Sequence, residues 1–159
     1  MDVLIVSLGS TAGLRAADDE LAASIRRAGA AVQLVRAPAQ RNVPTLALTD
    51  LLWARAARKA AFTGIGEFEP RAIIYSTTTA AMLWPRKGAI RFDALAAENR
   101  PGRHGMWQRS RERKRLEQAT MLIPWAPESL QGAGHTGTPS VVVPVPVEPS
   151  AAAGGYEPV

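Results

Sequence analysis

Cysteine is absent from the 159-residue chain, which excludes disulfide bonds and thiolate metal sites. The sequence also lacks an apolar run of about eighteen residues, the length that a membrane-spanning helix needs. Met1 and Asp2 lead directly into an apolar segment, without the basic stretch that opens a signal peptide. We therefore expect a cytoplasmic protein of a reducing compartment, and we expect no metal ion in it.

Apolar residues make up 47% of the chain, enough to bury the core of one globular domain. Short apolar runs typical of strands alternate with stretches of helical periodicity. This alternation predicts an α/β fold, a Rossmann-like three-layer α/β/α arrangement around a mostly parallel sheet of about seven strands with the N-terminal strand central. We assign residues 1–149 to this domain and residues 150–159, rich in alanine and glycine, to a linker or tail.

Two of the predicted helices have recognisable ends. The first is expected from Leu14 to Ala28, and the acids from Asp18 to Glu20 lie near its start, where the helix dipole favours negative charge. The second is expected from about Thr49 or Asp50 to Phe62, because two glycines follow at 64 and 66 and glycine commonly ends a helix.

The loop between the first strand and the first helix is the first candidate ligand site. In doubly wound sheets, ligands bind where such loops leave the carboxyl ends of strands, and glycine lets the backbone approach a ligand closely. The spacing of its two glycines matches neither the dinucleotide fingerprint nor a phosphate-binding loop, and the alternative is a plain tight turn. The candidate residues are Gly9, Ser10, Thr11 and Gly13.

Polar residues follow two further strands, predicted over 72–75 and 89–92. Since parallel strands share one carboxyl edge, we expect these residues to line the same cleft, together with a polar loop beyond the second strand. Asp93 could orient an acceptor hydroxyl or act as a base. The alternative for Asp93, and for Ser76, Thr77 and Thr78, is that the side chain caps the next helix. The cleft candidates are Ser76, Thr77, Thr78, Asp93, Glu98, Asn99, Arg100 and Arg103, and Trp125 is expected at the same edge.

Basic charge is concentrated between Arg100 and Arg115, where seven lysines and arginines accompany one acid, Glu112. Such a cluster favours a phosphorylated ligand or an anionic membrane surface, and a solvated surface helix is the alternative. Nucleic acid is not expected, because no interleaved aromatic residues or reading motif accompany the charge. The candidate anion-binding residues are Arg109, Arg111, Arg113 and Arg115.

Five segments, in order and spacing, resemble the N-terminal domain of a GT-B fold retaining glycosyltransferase of the group 1 type, or glycosyltransferase family 4. The segments are residues 3–28, 72–80, 89–99, 109–125 and 140–149. The resemblance implies the acceptor half of a bacterial hexosyltransferase, with residues 9–13 touching the acceptor or the donor phosphates and Asp93 as a catalytic candidate.

The resemblance also implies which partners this chain would have. The acceptor would be a sugar, a glycolipid or another small molecule, and the nucleotide-sugar donor would bind mainly to a second, C-terminal domain. This domain would then hold no cofactor, would be inactive alone and could lie peripherally at the inner face of a membrane. The alternative is a stand-alone flavodoxin-like binding or regulatory domain. A receiver domain, one example of that class, is a poor fit, because the first and third strands are not followed by the acids that it needs.

Overall fold

The computed structural model describes residues 1–41, 43, 45–95, 105–134 and 136–145. They form an α/β fold around a five-stranded, all-parallel sheet with the strand order β2-β1-β3-β4-β5. The predicted Rossmann-like three-layer fold class is thus confirmed. The strands are β1 (Val3–Ser7), β2 (Val32–Arg36), β3 (Ala72–Tyr75), β4 (Ala89–Phe92) and β5 (Leu122–Pro124).

The expectation of about seven strands is wrong for the described residues, and β3 rather than β1 is the central strand. A sixth segment runs beside β5 without becoming a strand. Ser140 forms an isolated parallel bridge with Leu122, and the Val141 N–H donates to the Leu122 carbonyl at 2.9 Å. Prolines at 139 and 144 flank this segment, and a proline has no N–H to extend the ladder.

Threonine side chains cap three of the helices that surround the sheet. Thr11 accepts a hydrogen bond from the Leu14 N–H, Thr45 from the Leu48 N–H, and Thr77 from the Ala80 N–H. A cap of this kind satisfies one N–H that the first turn leaves without a partner. The helices are α1 (Ala12–Arg27), α2 (Leu46–Phe68), α3 (Thr78–Ala81) and α4 (Met106–Gln118), and a 3₁₀ helix follows at Pro127–Ala133.

Helix α2 is longer than its sequence indicates, because the glycines at 64 and 66 do not end it. Gly64 is buried, and a Cβ there would lie 3.1 Å from Cδ1 of Leu4 and 3.2 Å from Cγ1 of Val35. The missing side chain lets the helix approach the sheet closely. Gly64 is therefore a packing residue, and the helix continues to Phe68.

The two faces of the sheet are covered unequally. Leu4, Val6 and Phe92 belong to a large apolar cluster on the side of α2 to α4. Ile5, which alternates with Leu4 and Val6, packs in a smaller cluster with Ala22 of α1 on the opposite side. None of the helices within the described ranges has the length and apolar character needed to cross a membrane.

Gly88, just before β4, meets the backbone of β3. A Cβ at this position would lie 2.5 Å from the Ile73 carbonyl oxygen, so Gly88→Ala is expected to lower the free energy of unfolding by about 1–3 kcal/mol. Gly66→Ala is the matched control, because Gly66 is an exposed residue of α2 with open space around it. That variant should gain up to about 1 kcal/mol. Urea unfolding of both variants tests the pair, and equal effects would contradict the packing role of Gly88.

Candidate functional site

A cleft of about 270 Å³ opens at the carboxyl edge of the sheet. It lies beyond β1, β3 and β4, where the order of the strands reverses between β1 and β3 and open sheets bind their ligands. The start of α2 and one residue of α4 close its other sides. Its polar lining residues are Ser10, Thr49, Asp50, Thr77, Thr78, Thr79, Asp93 and Gln108. Its apolar lining residues are Leu8, Leu14, Leu46, Trp53, Met82, Phe92 and Ala94.

Four of the residues selected from the sequence line this cleft: Ser10, Thr77, Thr78 and Asp93. The capping alternative holds for Thr77, whose hydroxyl accepts a hydrogen bond from the Ala80 N–H at 3.0 Å. Asp93 Oδ1 accepts one from the Ala94 N–H at 2.8 Å, and the helix predicted to follow Asp93 extends outside the described residues. Since hydroxyl and carboxylate oxygens have more than one lone pair, these hydrogen bonds leave capacity for a ligand.

The other loop candidates have structural roles. Gly9 adopts a φ of 59°, and its carbonyl accepts a hydrogen bond from Arg15 Nη1 at 2.8 Å. Thr11 caps α1, and Gly13 lies in the first turn of that helix. Ser76 is buried, and its hydroxyl accepts a hydrogen bond from the Leu8 N–H at 3.3 Å. Four further candidates, Glu98, Asn99, Arg100 and Arg103, lie outside the described residues.

The sequence analysis missed a contact between two helices at the cleft. Gln108 Nε2 of α4 donates a hydrogen bond of 2.6 Å to Asp50 Oδ2 of α2. Gln108 is 1% exposed, and its Oε1 atom is buried without a hydrogen-bond partner among the described residues. A signal was present, because the buried residues Gln108, Glu112 and Leu116 recur every four positions on α4. A helix that looks polar all round therefore has one buried stripe.

A buried ion pair lies behind the cleft. Arg91 Nη1 of β4 donates to Asp18 Oδ1 of α1 at 3.1 Å, and the two side chains are 1% and 0% exposed. The Ser7 hydroxyl donates to Asp18 Oδ2 at 2.5 Å. The sequence-based assignment of Asp18 to the start of α1 is wrong, since it lies mid-helix and faces the sheet. Asp18 instead connects α1 to the end of β1 and to β4.

Burial dominates the electrostatics of this pair. It raises the pKa of Asp18, although the Ser7 hydrogen bond and Arg91 act in the opposite direction. Burial lowers the pKa of Arg91, although the nearby Asp18 carboxylate acts to raise it. Both directions have one cause, because a charged group loses its hydration when it is buried. The pair thus constrains the geometry more than it adds net stability.

Trp125 completes the surroundings of Arg91. The Arg91 guanidinium lies 4.8 Å from the centroid of the Trp125 ring, a cation–π geometry. Trp125 follows β5 as expected, but it is not among the residues that line the cleft. Arg91 Nε and Trp125 Nε1 are both buried, and neither has a hydrogen-bond partner in the part of the chain that the structure describes.

The four candidate arginines of α4 point in different directions. Arg113 forms an ion pair with Glu117 at 3.3 Å, and Arg109 lines a depression together with these two residues. Arg111 and Arg115 line a separate groove. Arg115 is also attached to the core, because its Nε donates to the Met82 carbonyl at 3.1 Å. The basic segment is therefore not one uniform surface.

Comparisons with protein-family models, with curated proteins and with solved structures give no match for this chain. The resemblance to a glycosyltransferase therefore stays a prediction. Within the described ranges, no group of three or more histidine, aspartate or glutamate residues is placed to hold a metal ion.

Breaking the buried pair from one side should destabilise the protein strongly. Asp18→Ala is expected to lower the free energy of unfolding by about 3–5 kcal/mol, because it leaves Arg91 buried without its counter-charge. The double variant Asp18→Leu/Arg91→Met should recover most of that loss. Asp19→Ala is the control, since the neighbouring Asp19 pairs with Arg36 at the surface and should cost less than about 1 kcal/mol. Urea unfolding measures all three, and a double variant no better than Asp18→Ala would contradict this account.

Proposed function

We propose that this chain is the acceptor-binding domain of a glycosyltransferase, which moves a sugar from a nucleotide-sugar donor to an acceptor hydroxyl. The observation that carries the proposal is the chemistry of the cleft. Hydroxyl groups, carboxylates and one amide line it beside the indole of Trp53, and no lysine or arginine is among its described lining residues. A neutral acceptor rich in hydroxyl groups suits such a lining, because hydroxyls both donate and accept hydrogen bonds.

Two side chains are the main proposed contacts of the acceptor. Asp93 is exposed at the carboxyl end of β4, and its carboxylate can accept a hydrogen bond from an acceptor hydroxyl besides the Ala94 N–H. It would first orient that hydroxyl, and its role as a base is secondary. Gln108 Oε1 is buried and has no partner within the described ranges, so a ligand hydroxyl donating to it would remove the cost of leaving it unpaired.

The nucleotide-sugar donor is assigned to a second domain. A nucleoside diphosphate carries charge that proteins usually neutralise with arginine, lysine or clustered backbone N–H groups. The described lining of the cleft contains two carboxylates, of Asp50 and Asp93, and no cation. An anionic donor is therefore disfavoured there, and the acceptor is the better occupant.

The strand order favours a second candidate, a stand-alone flavodoxin-like binding domain without catalysis. The order β2-β1-β3-β4-β5 is the flavodoxin-like one, and its switch point also lies between β1 and β3. A domain of this kind would use the same cleft for a small ligand. The two candidates differ in whether the ligand of the cleft is the acceptor of a sugar transfer or a small molecule bound without catalysis.

Saturation-transfer NMR with neutral methyl glycosides tests the acceptor assignment. The wild-type chain should bind at least one glycoside with a millimolar dissociation constant, and Asp93→Asn should weaken that binding about tenfold, because it replaces a charged acceptor. Asp19→Ala, on the exposed side of α1, is the control and should bind like the wild type. If a folded wild-type chain binds none of the glycosides, the stand-alone candidate is favoured instead.

The assignment of the donor has a test of its own. The chain alone should transfer sugar from no UDP- or GDP-sugar, and calorimetric titration should show weak binding or none, because too few contacts would offset the entropy of association. A micromolar dissociation constant for any of these donors would place the nucleotide site in this domain, contrary to the proposal.

A further inference from the structure

Helix α4 presents a groove on the side away from its buried stripe. The groove measures about 410 Å³ and is lined by Trp107, Ser110, Arg111, Lys114 and Arg115. No carboxylate is among these described lining residues. Of the acids on the same helix, Glu112 and Glu117 line a different depression. Three cations therefore face one space, and none of its described lining residues supplies a counter-charge.

One of these cations is held in place by the core. Arg115 Nε donates to the Met82 carbonyl at 3.1 Å, and its guanidinium lies 5.0 Å from the centroid of the Trp84 ring. From α2, Arg58 Nη1 donates to the next carbonyl, that of Leu83, at 3.3 Å. Two guanidinium groups from different helices thus converge on the same turn after α3. A preorganised cation binds an anion without first losing the freedom of its side chain.

The local field favours an anion. Burial lowers the pKa of Arg115, and the nearby charges of Arg111 and Arg58 lower it further. Arg111 and Arg58 lower the pKa of Arg115 because they carry the same charge and lie nearby. Like charges close together also raise the local positive potential. An anion in the groove would relieve this repulsion.

We propose that this groove is a binding site for a phosphate-type anion. The side chains of Arg111 and Lys114 supply charged donors, the Ser110 hydroxyl supplies a neutral one, and the indole of Trp107 forms an apolar wall. Arg115 contributes mainly its positive charge, because its Nε and Nη1 atoms already donate to the Met82 carbonyl and to Gln118 Oε1. The group would come from a phosphorylated small molecule or from a phospholipid headgroup. The site is separate from the cleft, where a neutral acceptor is proposed, and its test does not depend on that proposal.

Titration with inorganic phosphate at constant ionic strength, balanced with sodium chloride, tests the site. The chain has four tryptophans, so the indole N–H signals of the ¹⁵N-labelled protein can be resolved and that of Trp107 identified with Trp107→Phe. The Trp107 signal should move and saturate with phosphate. Arg111→Gln/Lys114→Gln should weaken binding at least about tenfold, because two charged donors are lost. Both residues are exposed, so the fold should persist, as the spectrum itself verifies.

Arg113→Gln is the matched control, since it removes the same charge from the same helix but on the side that pairs with Glu117. Its phosphate affinity should stay within about twofold of the wild type, given screening over about 8 Å. An equal loss in the control, or equal shifts with chloride alone, would overturn the proposal. So would the absence of any response to phosphate and to the vesicles described next.

Vesicles distinguish the two sources of the anion. The chain is sedimented with phosphatidylcholine vesicles that contain or lack phosphatidic acid. Sedimentation that needs phosphatidic acid, and that Arg111→Gln/Lys114→Gln abolishes but Arg113→Gln does not, supports a lipid headgroup in the groove. Phosphate binding without sedimentation supports a soluble phosphorylated ligand. Sedimentation that both variants retain shows that other surfaces bind the lipid, and the groove is then judged on the phosphate titration alone.

Discussion

The buried contact between Asp18 and Arg91 fixes the relation of α1 to the sheet. Asp18 accepts hydrogen bonds from Ser7 at the end of β1 and from Arg91 of β4, so a single carboxylate connects three elements. A carboxylate buried in this way needs both partners, because unpaired charge in a protein interior is costly. A different rotation of α1 about its own axis would separate Asp18 from Ser7 and Arg91. The ion pair therefore selects one packing of α1 over its alternatives.

The position of the cleft follows from this arrangement. The residue after Ser7 is Leu8, whose N–H donates to the buried Ser76 hydroxyl beyond β3. This bond holds the loops after β1 and β3 together at the point where the strand order reverses. Ser10 and Thr77, farther along the same two loops, both line the cleft. The buried polar groups thus support the exposed ones that would meet a ligand.

The sequence pattern was sufficient for the elements whose signal is local. The predicted strands 72–75 and 89–92 agree with β3 and β4, and the shared carboxyl edge brought Ser10, Thr77, Thr78 and Asp93 to one cleft. Tertiary contacts decided the rest. Gly64 looks like a helix end until Leu4 and Val35 are seen against it, and Asp18 looks like a surface acid until Arg91 is placed beside it. Periodicity within one segment can indicate that a face is buried, as it does on α4, but it does not show which distant residue meets that face.

Helix α4 carries lining residues of both the cleft and the groove, the two proposed sites. Gln108 faces the cleft, where it contacts Asp50, and Arg111 faces the groove only three residues later. Three residues of an α-helix advance about 4.5 Å, so neither side chain can be displaced along the axis without the other. A ligand that shifts the helix on one side would change the fit on the other side. The free energies of binding at the two sites would then be coupled reciprocally, by the same amount in each direction.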